Sequence, residues 1–286
     1  MRRALTALVL CCATTVPQCG ADLNPPRAGG LKSAPHWSAD LRPLSERAWE
    51  LWRIGKMEAS LAAFHELLAA ARAEHDRRVE ASTINFIGLW HQNMGEYAEA
   101  RRHYEEALTL ARAAGDRDTE AVALYQMAWL RFVEHDYRGA IVWYERSLAV
   151  FRAIPDRHGQ AVVLAGLGMA YNSLAEWSRA IELEQQALAI VQTTSDRRLE
   201  ADILDHTGRA MLGSGRTAEA EALHRRALAV RREAGDRGGQ TFSLSALAYA
   251  QRAQNDVDGA IASMQDVVAI IEASREAVAS SRLRQT

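Results

Sequence analysis

The residues of this 286-residue chain that could do chemistry are nine histidines and a few adjacent carboxylates, and their spacing argues against most of it. A zinc site needs three or four ligands brought together, usually at short fixed intervals. His65, His75, His91, His103, His135, His158, His206 and His224 fall mostly at single, non-repeating offsets, and His103 and His135 have no partner at metal-ligand spacing. They read as surface or groove residues. Glu105-Glu106 invites an acid/base role, but the pair falls on a helix face expected to be solvated. His-Glu-x-x-His, a glycine-rich phosphate loop after a strand and Gly-x-Ser-x-Gly do not occur. Cys11, Cys12 and Cys19 are the only cysteines, so beyond residue 19 a disulfide framework, a thiol nucleophile or a cysteine zinc site is excluded. The expectation is a non-enzymatic chain with no catalytic residue, no metal and no cofactor.

Charge narrows the partners. A net charge of −2 argues against nucleic acid, whose binders concentrate positive charge. The bases are almost all arginine, with Lys32 and Lys56 the only lysines, a mark of a GC-rich genome rather than of function. Residues 1–21 read as a secretory leader: Arg2 and Arg3 form a basic start, and residues 4–16 an apolar run of 13 residues, counted from the sequence. That run is shorter than the roughly 20 residues a membrane span requires and fits a signal peptide, which predicts export to the periplasm or beyond. Read without a leader, the chain would be cytoplasmic. Cys19-Gly20-Ala21 suits cleavage better than lipid attachment at Cys19. Residues 22–39, with Pro25, Pro26, Pro35, Gly29 and Gly30, read as a flexible spacer.

The element that must position everything else is a repeat. Asp76-Arg77 returns as Asp116-Arg117, Asp156-Arg157, Asp196-Arg197 and Asp236-Arg237, each 40 residues after the last (116 − 76 through 236 − 196). A fixed period in the range of about 20 to 50 residues is the signature of a solenoid. Each Asp is predicted to cap a helix N-terminus, after a stop supplied by Gly115, Gly235 or Pro155. Glu80, Glu120, Gln160, Glu200 or Gln240 follows four residues on, where the helix dipole favours negative charge. The invariant Arg meets the unfavourable end of that dipole and is expected to bond the neighbouring repeat.

Within each unit two helices are predicted, crossing at small residues: Ala48, Gly88, Ala128, Gly168, Gly208 and Ala248 on the first, Ser60, Ala100, Ala140, Ala180, Ala220 and Ala260 on the second. Leu44, Ile84, Leu124, Leu164, Leu204 and Leu244 fall four residues before the first set, which puts them on the buried face. Leu68, Leu108, Leu148, Leu188, Leu228 and Val268 do the same on the second helix. Tyr97, Tyr137 and Trp177 open second helices. Gly213-Ser214-Gly215 and Thr217 mark the fifth unit as the most mobile.

These small residues, with Tyr104, Tyr144, Ala107, Ala187 and Ala227, resemble the tetratricopeptide repeat, in its longer 40-residue form. The resemblance covers residues 40–275 and implies an all-α, right-handed superhelical solenoid of about six antiparallel helix pairs. Residues 276–286 follow as a capping or linker helix. The stretch from Ile271 to Thr286 resembles the helix that leads, in bacterial CHAT proteins, into a caspase-like C-terminal protease domain.

In a tetratricopeptide array the first helices line the concave face. The resemblance therefore implies a groove formed by Asn85, Leu89 and Gln92, then Tyr125, Trp129 and Phe132, then Met169 and Asn172, then Asp205, Arg209 and Leu212, then Tyr249 and Arg252. Tyr125, Trp129 and Phe132 share one helical face and would either anchor a peptide or fill the space between adjacent repeats. The cationic set with which family members clamp a C-terminal carboxylate is missing. The function implied is a scaffold that binds a protein or peptide of unknown identity, with no membrane span. The alternative is the sensor arm of a CHAT-type cysteine protease. An unfinished last pair could also self-associate.

Overall fold

The computed structural model describes residues 41–283, apart from the side chains of 277–283. The expected leader, residues 1–21, and the spacer, residues 22–39, lie outside the described residues. Twelve helices follow one another: α1 Leu41–Arg53, α2 Met57–Ala73, α3 Arg77–Asn93, α4 Tyr97–Ala114, α5 Arg117–Val133, α6 Tyr137–Arg152, α7 Arg157–Ser173, α8 Trp177–Val191, α9 Arg197–Gly213, α10 Thr217–Glu233, α11 Arg237–Ala253 and α12 Val257–Leu283. No strand occurs among the described residues, and none of their helices is long and apolar enough to cross a membrane. The all-α solenoid is the observed architecture. The boundary expected at 275–276 falls inside α12, which runs on as one helix.

The described chain divides into two compact units, one ending at Val163 and one beginning at Leu164. In the first, α1 packs on α2, α3 on α4 and α5 on α6, while α2 meets α3 and α4 meets α5. In the second, α9 packs on α10 and α11 on α12, while α8 meets α9 and α10 meets α11.

The repeating Asp caps a first helix in all five copies. Asp76 accepts the backbone N–H of Arg78 and Val79 at 3.1 and 3.0 Å. Asp116, Asp156, Asp196 and Asp236 accept from Thr119, Gly159, Leu199 and Gly239 at 2.9 to 3.2 Å. In three copies the Arg beside it behaves differently from the expectation. Arg77, Arg117 and Arg197 each bond a glutamate of their own helix three residues on: Glu80, Glu120 and Glu200, at 2.9, 2.6 and 2.6 Å. A local carboxylate offsets the unfavourable dipole more directly than a distant one. The link to the preceding helix is carried by the glutamate instead, which also receives Arg72 at Glu80 and Arg112 at Glu120.

The predicted crossing points are close contacts. A β-carbon on Gly88 would lie 2.7 Å from Tyr104, and one on Gly208 would lie 2.7 Å from His224. Gly213, which reads in the sequence as a loosening of the fifth unit, is also a packing residue: a β-carbon there would sit 2.8 Å from the Trp177 ring.

Candidate partner-binding surface

The residues expected in the groove occupy three tiers along the first helices, at 9, 13 and 16 positions beyond the capping Asp of each pair. In the unit that ends at Val163 these tiers are closed except at Phe132. Asn85 and Leu89 are buried on α3, with Asn85 Oδ1 unpartnered. Gln92 is buried and accepts the Tyr104 hydroxyl at 2.8 Å. On α5, Tyr125 and Trp129 are buried. Tyr125 packs against Tyr144 with centroids 5.5 Å apart, and Trp129 meets Tyr97 edge-on at 6.2 Å. Phe132 is half-buried against Tyr137 at 5.3 Å. The helical face shared by Tyr125, Trp129 and Phe132 thus spends its apolar area on packing between helices.

The unit that begins at Leu164 is more open. Met169, Arg209, Leu212 and Tyr249 are half-buried and Arg252 is exposed. The Arg209 guanidinium lies over the Phe242 ring, 5.8 Å from its centroid, a distance at which the ring quadrupole attracts a cation. Asn172 is buried, its amide 3.5 Å from the His206 carbonyl.

Asp205 is not a groove residue, because three donors from two other helices converge on it. Its Oδ1 is 2.9 Å from His224 Nδ1 on α10, and its Oδ2 accepts from Ser243 on α11 at 2.6 Å and from Arg231 on α10 at 3.2 Å. Arg231, almost fully buried, also reaches Asp202 at 2.6 Å and Asp236 at 2.9 Å and donates to Ser243 at 3.0 Å. Burial would lower the guanidinium pKa, but Asp202 and Asp205 outweigh it and hold the group above its usual range. Buried charges persist only when paired and hydrogen-bonded in this way. His206 and His224, expected at the surface or in the groove, are core residues. Burial first, then the Arg209 and Arg231 charges, push His206 well below the usual histidine range. Among the described residues no group of three or more histidines and carboxylates is placed to hold a metal.

The polar core positions were legible in one respect that reading for chemistry passes over. Phe64, Tyr104, Tyr144, Glu184, His224 and Met264 share one register position, 16 residues after the small crossing residue. Glu184 and His224 therefore stand where the earlier pairs keep an aromatic ring.

Known sequences and structures bear on this arrangement. The tetratricopeptide repeat pattern matches residues 50–113, 79–153 and 119–193, and a second tetratricopeptide repeat pattern matches residues 201–234. The chain belongs to the tetratricopeptide repeat family. No curated protein matches the sequence. Among solved structures, BtubC (BKLC) from P. vanneervenii is similar over 77% of this chain and 92% of its own, at 22% identity and a TM-score of 0.66. A Rap protein complexed with competence and sporulation factor matches 82% of this chain and 77% of its own, at 12% identity and a TM-score of 0.62. A signal-transduction ATPase with numerous domains and a tetratricopeptide repeat sensor, from Pyrococcus horikoshii, matches 81% of this chain, at 14% identity and a TM-score of 0.68. This chain spans 36% of that protein. At these identities the likeness is one of fold, and the tetratricopeptide repeats here carry their own side chains on it.

Proposed function

We propose that this tetratricopeptide repeat chain is a non-enzymatic scaffold that holds a protein or peptide against the first helices of the unit beginning at Leu164. The observation that carries the reading is the opening of the second tier there, at Met169, Arg209 and Tyr249, and of the third at Arg252, all of which keep accessible surface. Apolar and aromatic groups beside arginines suit a segment that carries apolar side chains and a carboxylate, since Tyr and Arg anchor interfaces best. That a Rap protein of the same fold binds a factor supports the choice of a scaffold over an enzyme. The test is selection of random peptides displayed on phage against the whole chain. Enrichment of acidic, apolar peptides whose binding drops at least tenfold in a Met169→Ala/Tyr249→Ala variant of unchanged helicity is expected; enriched peptides that bind this variant equally well would remove the strip from the reading.

A second reading makes the repeats the regulatory arm of a longer protein, as in the CHAT-type cysteine proteases that the segment after Ile271 resembles. What favours it is the Pyrococcus likeness, in which a repeat sensor is one part of a larger chain. The intact mass of the protein captured from its own cells separates the two. A species far above 31.6 kDa supports the arm, and a mass lowered by residues 1–21 supports the scaffold as an exported protein with its leader removed.

A further inference from the structure

In the pairs α1/α2, α3/α4 and α5/α6 the slot opposite the small crossing residue holds Phe64, Tyr104 and Tyr144, all fully buried. In the next pair the same slot holds Glu184 on α8, equally buried, with neither carboxyl oxygen hydrogen-bonded. The side chain is wedged rather than free: a β-carbon on Gly168 of α7 would lie 2.4 Å from its Cγ. From α9, Thr207 and Arg209 act on the carboxyl. The Thr207 hydroxyl gives its one proton to the Ile203 carbonyl at 2.7 Å. Toward Glu184 it can only accept, which suits a protonated acid and not a carboxylate. Arg209 is the charged group from α9 that favours ionisation, and its guanidinium is drawn toward Phe242. On α8 itself, Glu182 is exposed and paired with Arg179 at 2.9 Å.

We propose that the α7/α8 pair is a proton-operated joint: as a neutral acid Glu184 fills the aromatic slot and keeps α8 docked, and as a carboxylate it is drawn out to water and loosens the pair. A buried carboxylate with no donor is strongly disfavoured, so the chain opens or stays protonated. Burial lifts the group from the ordinary 4.5 to about 8, against the opposing charge of Arg209. The sign follows. In the closed pair the acid stays protonated up to about 8, whereas in the opened pair it ionises near its ordinary value. The stabilisation is therefore fully present below pH 4.5, falls as pH rises between 4.5 and 8, and is gone above that. Because α7 and α9 also carry Met169 and Arg209, loosening would weaken partner contact. That consequence alone rests on the scaffold reading.

The joint is tested without a partner. Hydrogen exchange of peptides from α7 to α9, corrected for the intrinsic effect of pH, is measured on the full chain from pH 5 to 9.5, for wild type, Glu184→Gln and Glu184→Tyr. Glu184→Tyr restores the residue type of the one earlier slot opposite a glycine, Tyr104 against Gly88, and serves if the amide variant does not fold. Expected is an opening constant that rises up to about tenfold per pH unit in wild type and levels off near pH 8, a slope absent from both variants. A wild-type slope that either variant retains, or a flat wild-type profile, overturns the joint.

Discussion

Tyr104 and Tyr144 occupy the same slot one period apart, and a single neighbour makes them different. Tyr104 donates to Gln92, whereas the position equivalent to Gln92 in the next pair is Phe132, so the Tyr144 hydroxyl is buried without a partner. Removing one member of a buried hydrogen bond leaves the other unpaired, while removing an unpaired hydroxyl leaves nothing behind. Tyr104→Phe is therefore expected to destabilise by about 1–2 kcal/mol and Tyr144→Phe to be neutral or stabilising by up to about 1 kcal/mol. Urea unfolding of the two variants side by side checks the asymmetry; equal losses would refute it. The same logic governs Asp205, whose role as a groove residue is replaced by its place among His224, Arg231 and Ser243.

At the scale of elements, the turns within pairs repeat as faithfully as the helices. Gly55, Gly95, His135, Ala175, Gly215 and Asn255, one per pair, all adopt a left-handed backbone. Nothing lies within 4 Å of a β-carbon built on Gly55, Gly95 or Gly215, so glycine is used there for its backbone and not for space. Gly215 is thus regular rather than a sign of looseness, and the strained member is Ala175 at φ 59°. A side chain in this region costs about 1–2 kcal/mol, partly offset by the greater freedom of glycine in the unfolded chain. Ala175→Gly should stabilise by roughly 0.5–1 kcal/mol in thermal or urea unfolding. A loss of stability would mean the methyl group makes a contact worth more than the strain.

At the scale of the whole molecule, each pair leaves apolar surface that only a neighbour covers. Positions filled by Leu68, Leu108, Leu148 and Leu228 are buried, whereas the equivalent Val268 on α12, the last described helix, is 38% exposed. Repeat arrays are held by such nearest-neighbour contacts, and isolated short helices are marginal in water. A peptide spanning residues 77–115, one complete pair, is expected to show little helix by circular dichroism. Strong helicity in that peptide would mean that the pair, not the stack, is the stable unit.

The 40-residue period, the capping Asp, the small crossing residues and the all-helical architecture could be read from the sequence because each depends on contacts within a pair or at its seam, and such contacts recur with the period. Which groove residues remain open could not. Asn85, Met169, Asp205 and Arg209 belong to the same tiers by number, yet Asp205 is drawn inward by Arg231, 26 residues away, and Ser243, 38 residues away. Burial of a side chain is decided by what the other helices bring to it. The slot of Glu184 and His224 does recur with the period, but only the fold shows that His224 meets Asp205 while the Glu184 carboxyl meets no donor.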